Sequence, residues 1–444
     1  MYTPTYSIQS NDVHSTLSNY MLADGFDYVL DDKNSKDGYF VDARSGKKYL
    51  DFFSCFASVP IALNHPKLLQ DDFAAYLGSV ALHKPSNSDV YSEVMATFVK
   101  TLFELCLPSD FKYSFFIEGG SLANENALKT AFDWKIRQNF RKGYTYEKGT
   151  KVLHFQQAFH GRSGYTMSLT NTDPTKVKYF PKFDWPRVEN PFIHFPLNEE
   201  SLQNVIAAEQ RSIAQIKMAF REHTDDIAAI IIEPIQGEGG DNHFRPEFLQ
   251  QLRTIADEEQ ALLIFDEVQT GVGITGTMWA FQQLGVTPDI VTFGKKMQVC
   301  GMAVTARVDS EPENVFKVSS RINSTWGGNL VDMARVTRYL EIIHEDNLVN
   351  NAKVQGLELL NQLQQLQYEF PEVVSAPRGR GLYCAFTLST PELRAKLVDK
   401  TFDNGLFVIG SGTRSMRFRP TLDITKEHIT NGIEIIRTSL KVIL

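Results

Sequence analysis

The sequence predicts an α/β fold, with a large domain built on a mostly parallel sheet covered by helices and a smaller α+β domain after it. Three observations carry this. Short, wholly apolar runs such as AAIII and ALLIF end at glycine or polar clusters, which marks strands buried on both faces. Amphipathic stretches of helical period separate them. After Gly328 the pattern changes to one long helical stretch followed by shorter strand-like pieces.

The N-terminal stretch is polar and irregular, through the turn-rich DDKNSKDG of Asp31–Gly38. Strands are then predicted at Tyr113–Ile117, Lys151–Phe155, Ile227–Glu233, Ala261–Asp266, Asp289–Phe293 and Met302–Val308. Helical patterns lie between them at Leu122–Phe140, Pro246–Gln260 and Met278–Leu284. In the C-terminal part a long helix is expected over Asn329–Leu366, strands over Gly381–Leu388 and Leu406–Ile409, and a last helix over Lys426–Lys441. The expected division is an N-terminal segment 1–60 feeding the small domain, a large domain 61–330 and a small domain 331–444.

A chain of 444 residues, 43% of them apolar, is long enough for two domains around an extensive core. The net charge is −8 and no Lys/Arg-rich run stands out, so nucleic acid is not an expected partner. Cys55, Cys106, Cys300 and Cys384 are far apart and form neither a disulfide framework nor a metal-ligand cluster. A reduced, cytoplasmic setting is expected. MYTPTYSIQSND has no basic stretch followed by an apolar one, and the longest apolar runs fall far short of a membrane span.

Ligands of open α/β sheets bind at the C-terminal ends of the strands, so the residues standing there decide the chemistry. Glu118-Gly119-Gly120-Ser121 follows the first strand and opens a helix. This is either a turn with a cap or a phosphate cradle of backbone N–H groups. Its spacing matches neither a dinucleotide fingerprint nor a P-loop. Ala158-Phe159-His160-Gly161-Arg162 follows the second strand; Phe159 alone reads as core and His160 alone as a hydrogen-bonded structural histidine. Glu233-Pro-Ile-Gln-Gly-Glu238-Gly-Gly and Asp266-Glu267-Val268-Gln269-Thr270-Gly271 follow the next two. The fifth strand ends in Gly294-Lys295-Lys296. A buried lysine is rare unless paired or reactive. In a partly dry pocket its amine loses its proton more easily and becomes a nucleophile for an aldehyde. A lysine, a carboxylate at a neighbouring strand end, an aromatic face and a glycine-rich helix start together match the needs of pyridoxal 5′-phosphate.

With these residues in place, the sequence resembles the class III (ornithine-type) aminotransferases of pyridoxal-phosphate fold type I. The anchors are EPIQGE, DEVQTG, PDIVTFGK, STWGGN and MRFRP, in that family's order. FIEGGSLANENALKTAFDWK, FHGRSGYTMSLTNT, GITGTMWAF and FGKKMQVCG resemble the branch of the class that acts on lysine more than the ornithine or aminobutyrate enzymes. Gly119-Gly120-Ser121-Leu122, Ile274 and Leu330 depart from the commoner class III pattern and fit that branch.

The resemblance implies Lys295 as the lysine that holds the cofactor, with Lys296 a supporting or solvent-facing neighbour. It implies Asp266 at the pyridine nitrogen, Gln269 at the ring hydroxyl or substrate, Phe159 stacked on the ring, and the backbone of Gly120 and Ser121 on the phosphate. Thr325 would reach the phosphate of the other subunit, making a homodimer with shared active sites, and Asn323 would contact substrate. Arg162 would bind the distal carboxylate of either substrate, and Arg417 the carboxylate next to the reacting carbon of 2-oxoglutarate or L-glutamate. Glu238 would cover Arg417 when L-lysine is bound, because an unpaired buried cation is costly. The expected reaction moves the ε-amino group of L-lysine to 2-oxoglutarate. The products are L-glutamate and 2-aminoadipate 6-semialdehyde, which cyclises to a piperideine carboxylate. Ornithine, 4-aminobutyrate or 2,4-diaminobutyrate is the alternative donor.

Overall fold

Every residue of the strands Ile227–Ile232, Leu262–Asp266 and Ile290–Phe293 is buried. Runs of this kind fit only between two covering layers. In the computed structural model, which describes residues 2–444, they form the centre of a seven-stranded sheet. Its order is Phe111–Ile117, Cys300–Thr305, Ile290–Phe293, Leu262–Asp266, Ile227–Ile232, Lys151–Phe155, Arg187–Val188. Only Cys300–Thr305 runs against its neighbours. That strand was expected at Met302–Val308; it starts earlier and stops at a 3-10 turn over Ala306–Ser310.

Side chains alternate across the sheet. Ile231, Ile264 and Ile290 pack on one face with Ala127, Leu128 and Ala131 of the helix Gly120–Arg141. Ile230, Ile232, Leu263 and Phe265 pack on the other with Phe248, Leu249 and Leu252 of the helix Pro246–Glu258. Fully burying each of these Ile, Leu and Phe side chains contributes roughly 1.5–3 kcal/mol.

The pattern at Met278–Leu284 yields only a short 3-10 turn, Ala280–Gln283. The buried carboxylate of Glu267 accepts the amides of Ala280 and Phe281 at 2.8 and 2.9 Å and holds this turn in place. The single helix expected over Asn329–Leu366 is two, Leu330–Glu345 and Leu348–Glu369. Asn347 breaks it with a left-handed φ of 52°, a conformation that asparagine tolerates better than most residues. The helix Glu199–Glu222, with a capping box at Asn198, had not been singled out.

In the C-terminal part, Val374–Arg380, Tyr383–Leu388, Ser415–Phe418 and Ile409–Ser411 make an antiparallel sheet. The strand expected at Leu406–Ile409 divides between two sheets. Leu406–Phe407 pairs with Lys48–Asp51 of the N-terminal segment, which pairs in turn with Tyr39–Val41. No helix among the described residues is long and apolar enough to cross a membrane.

Where the helix Leu348–Glu369 meets the turn at Gly381, a Cβ on Gly356 would lie 2.0 Å from the Gly381 carbonyl carbon. Alanine at this position gains about 1 kcal/mol of helix propensity. Backbone cannot yield as a side chain does, so Gly356→Ala should cost a net ~2 kcal/mol or more. Denaturant unfolding of the variant checks this.

Candidate active site

The parallel register builds the site. Ile232 lies beside Phe265, and Asp266 beside Thr292. Glu233, Asp266 and Thr292 therefore stand in a row where three adjacent strands end, and Lys295 follows one short step after Thr292. A cavity of about 700 Å³ opens over this edge. Gly120, Ser121, Phe159, Arg162, Glu238, Asp266, Gln269 and Lys295 all line it.

Lys295 begins a 3-10 turn with φ 46°. A non-glycine residue held in this region costs about 1 kcal/mol, and such positions cluster at functional sites. Its amine makes no hydrogen bond among the described residues and stands 6.0 Å from the centre of the Phe56 ring. Burial, with the nearby charges of Arg417 and Arg419, pushes its pKa down to about 8. Lys296 is not solvent-facing. It is 2% exposed and donates to the carbonyls of Val59 at 3.0 Å and Pro420 at 3.3 Å, so it ties the lysine turn to two distant segments.

Asp266 is 5% exposed. One oxygen accepts Asn124 Nδ2 at 2.7 Å and meets His160 Nδ1 at 2.8 Å; the other accepts the Val268 amide at 3.1 Å. Asn124 Oδ1 accepts the Thr292 hydroxyl at 2.7 Å. These bonds fix the direction in which the carboxylate points. Burial pushes the carboxyl of neighbouring Glu233 up to about 7, and Asp266 adds to the push. Glu233 accepts the amides of Phe159 at 2.9 Å and Gly237 at 3.0 Å, fixing the loops that carry Phe159 and Glu238.

The helix Gly120–Arg141 points its N-terminus at the cavity. Its first amides lack intrahelical acceptors, so this end suits an anion. The Ser121 hydroxyl is turned away, bonded to Ser163 at 2.5 Å and Thr166 at 2.7 Å, which leaves the backbone to face a ligand. Gly161, at φ +121°, lets the chain pass so close that a Cβ there would lie 2.2 Å from Ser121 Oγ.

Gln269 Oε1 accepts the Tyr383 hydroxyl at 2.8 Å and Arg419 Nε at 3.3 Å, so its NH₂ group is left to donate. Arg419 lies 3.3 Å from the centre of the Tyr383 ring and pairs with buried Asp241. Arg417 is 3% exposed. It gives one nitrogen to Glu238 Oε2 at 3.0 Å, while its Nε and Nη1 are buried without partners. The other Glu238 oxygen meets Lys176. Burial opposes the ionised form of Glu238, but Arg417 and Lys176 outweigh it and hold its pKa below the ordinary value. Arg162 is exposed and has no ion-pair partner among the described residues. Asn323 and Thr325 are exposed and do not line this cavity. They sit on a loop fixed by Ser86, whose hydroxyl donates to the Thr325 carbonyl at 2.5 Å.

The residue set fits pyridoxal phosphate. A half-buried amine without a partner, a buried carboxylate, an aromatic side chain and a helix N-terminus meet in one cavity large enough for the cofactor and a substrate. The family model described as Aminotransferase class-III matches residues 26–440. The chain belongs to the class-III aminotransferases. This aminotransferase is 50% identical to the L-lysine-epsilon aminotransferase of Mycobacterium tuberculosis over 432 residues, 97% of this chain and 96% of that protein. It is 45% identical to the L-lysine-epsilon aminotransferase of Streptomyces clavuligerus over 436 residues, 98% of this chain and 95% of that one. The solved structure of lysine aminotransferase from M. tuberculosis superposes with a TM-score of 0.96 at 49% identity, covering 98% of this chain and 100% of the other. The α/β fold expected for pyridoxal-phosphate fold type I is the fold found.

Sequence reasoning missed several residues of this aminotransferase's site. Asn124 had a signal: it lies four residues after Gly120, on the same face of the helix. His160, read as structural, orients Asp266. Thr292, Tyr383, Arg419 and Lys176 had no local signal, because each reaches the site only through tertiary packing.

Proposed function

We propose that this aminotransferase moves the ε-amino group of L-lysine to 2-oxoglutarate, using pyridoxal 5′-phosphate held by Lys295. The bound cofactor supplies an aldehyde that carries the amino group and a ring that withdraws electrons from the reacting carbon. Lys295 Nζ would take the proton from the substrate carbon bearing the amine and deliver it to the former aldehyde carbon of the cofactor, first base and then acid. Asp266 keeps the ring nitrogen protonated, because an adjacent negative charge favours the cation. Phe159 covers the ring face, and the amides of Gly120 and Ser121 take the phosphate. Gln269 donates to the ring hydroxyl or the substrate.

Arg417 carries the two-substrate reading. A buried guanidinium with one nitrogen on Glu238 and two unpartnered fits a site occupied in turn by a side chain and by a ligand carboxylate. L-Lysine presents its ε-amine to the cofactor and leaves no carboxylate near Arg417, so Glu238 keeps its place. 2-Oxoglutarate and L-glutamate bring a carboxylate next to the reacting carbon, and Glu238 gives way. Arg162 binds the distal carboxylate in both cases. Arg417→Met should lower kcat/KM for 2-oxoglutarate by about 10²- to 10³-fold, the cost of losing one partner of a buried charge pair, with a far smaller effect on the half-reaction with L-lysine. Equal losses in both halves would refute this role. A donor panel of L-lysine, ornithine, 4-aminobutyrate and 2,4-diaminobutyrate decides the substrate.

Lys295 also predicts a pH dependence. Its neutral amine dominates above a pKa of about 8. Capture of pyridoxal phosphate by the cofactor-free protein should therefore speed up as pH rises and reach half its maximum near 8. An ordinary lysine would place that midpoint near ~10.4. Stopped-flow absorbance reads the rate.

The same reading makes the protein a homodimer. Exposed Leu82, Val90, Tyr91 and Trp326 offer apolar surface for a second copy. Asn323 and Thr325, away from their own cavity, then serve the site of the partner subunit, Thr325 at its phosphate and Asn323 at its substrate. Segment 1–60 belongs with the small domain 331–444, in keeping with the pairing of Lys48–Asp51 with Leu406–Phe407, and 61–330 forms the cofactor domain. Four free cysteines suit a cytoplasmic setting.

A further inference from the structure

Glu238 stands between two cavities. Its residue lines the 700 Å³ space over Lys295 and a second of about 920 Å³ between the domains. Lys176 lines only the second, together with Gly239, Gly240 and Asn242. The lysine ends a 3-10 turn, Pro174–Lys176, capped by the Asp173 side chain, which accepts the Thr175 amide at 2.9 Å. Its ammonium lies 5.6 Å from the centre of the Phe159 ring and meets Glu238 Oε1, while Glu238 Oε2 meets Arg417. One carboxylate is thus shared by two cations, one on each side of it.

We propose that Lys176 is a positioning residue for the acceptor half-reaction: it holds Glu238 in the second cavity while Arg417 binds the carboxylate of 2-oxoglutarate. This rests on the two-substrate reading of Arg417 above. The charge balance explains it. With L-lysine bound, Arg417 and Lys176 share one carboxylate. When 2-oxoglutarate arrives, its carboxylate takes Arg417, and Glu238 must leave without becoming an unpaired anion. Lys176 is already in contact with it and lies on the side where there is room to turn. The move is then an exchange of partners in which neither carboxylate is left without a cation. A lysine whose work is to clamp Glu238 onto Arg417 would act in the opposite sense, opposing 2-oxoglutarate.

The test uses the holoenzyme with Lys176→Met and Lys176→Arg, following the L-lysine and 2-oxoglutarate half-reactions separately. In Lys176→Met, KM for 2-oxoglutarate should rise roughly 5-fold, the upper end of the scale for a partly exposed ion pair, while KM for L-lysine stays within about 2-fold. Lys176→Arg should restore the 2-oxoglutarate KM. An unchanged or lowered KM for 2-oxoglutarate in Lys176→Met, a parallel rise in both KM values, or no rescue by arginine would overturn the proposal. Wild-type turnover of L-lysine tests the underlying reading by itself. If the wild type works and the variants do not separate the two KM values, only the role of Lys176 is lost.

Discussion

Lys295→Ala should lower turnover of L-lysine with 2-oxoglutarate by roughly 10⁴-fold or more, since both the covalent anchor and the proton carrier go with one side chain. No neighbour can replace it. Lys296 is the nearest amine in sequence, yet it is buried on carbonyls of Val59 and Pro420 and does not line the cavity. The Lys295 side chain makes no hydrogen bond among the described residues, so the fold should survive its loss, and far-ultraviolet circular dichroism should be unchanged. Steady-state turnover and the visible absorbance of the protein mixed with pyridoxal phosphate check the two halves of this expectation. Wild-type rates in Lys295→Ala would move the reactive amine elsewhere.

Asp266→Asn should cost about 10³-fold in kcat, the scale seen when a single preorganised electrostatic partner is removed. The amide is nearly the same size as the carboxylate but carries no charge to hold a ring proton. It also turns an NH₂ group towards Asn124 Nδ2 or the Val268 amide, both of which donate to Asp266 now. The variant should therefore also bind pyridoxal phosphate less tightly, which dialysis against buffer reads independently of rate. Asp266→Glu, which keeps the charge, should retain more activity than Asp266→Asn. If the order is reversed, geometry rather than charge is what Asp266 supplies.

Lys295 and Asp266 stand out in the sequence because each follows a short strand-like run, IVTFG and ALLIF, and a charged residue there needs a reason. The strand order then follows from topology, and the register does the rest by setting Asp266 beside Thr292. What the sequence did not disclose came from three sources. Residues that act through tertiary contacts, such as Lys176 on Glu238 or Arg419 on Gln269, have no local pattern. One-residue breaks are weak signals, and Asn347 splits a helix whose apolar period runs on across it. Strand ends shift where a 3-10 turn competes, as at Ala306–Ser310. Lys296 shows the limit in the other direction. Two adjacent lysines after the same strand look alike as letters, and only packing shows one amine at the cavity and the other bound to backbone.

The most direct measurement is an absorbance spectrum of the purified holoenzyme with L-lysine alone, then with 2-oxoglutarate, followed by trapping with o-aminobenzaldehyde. Transfer of the ε-amino group predicts loss of the yellow band with L-lysine, its return with 2-oxoglutarate, and a coloured adduct of the cyclised semialdehyde. A yellow protein whose band ignores L-lysine but bleaches with ornithine, 4-aminobutyrate or 2,4-diaminobutyrate would contradict the assignment of the donor.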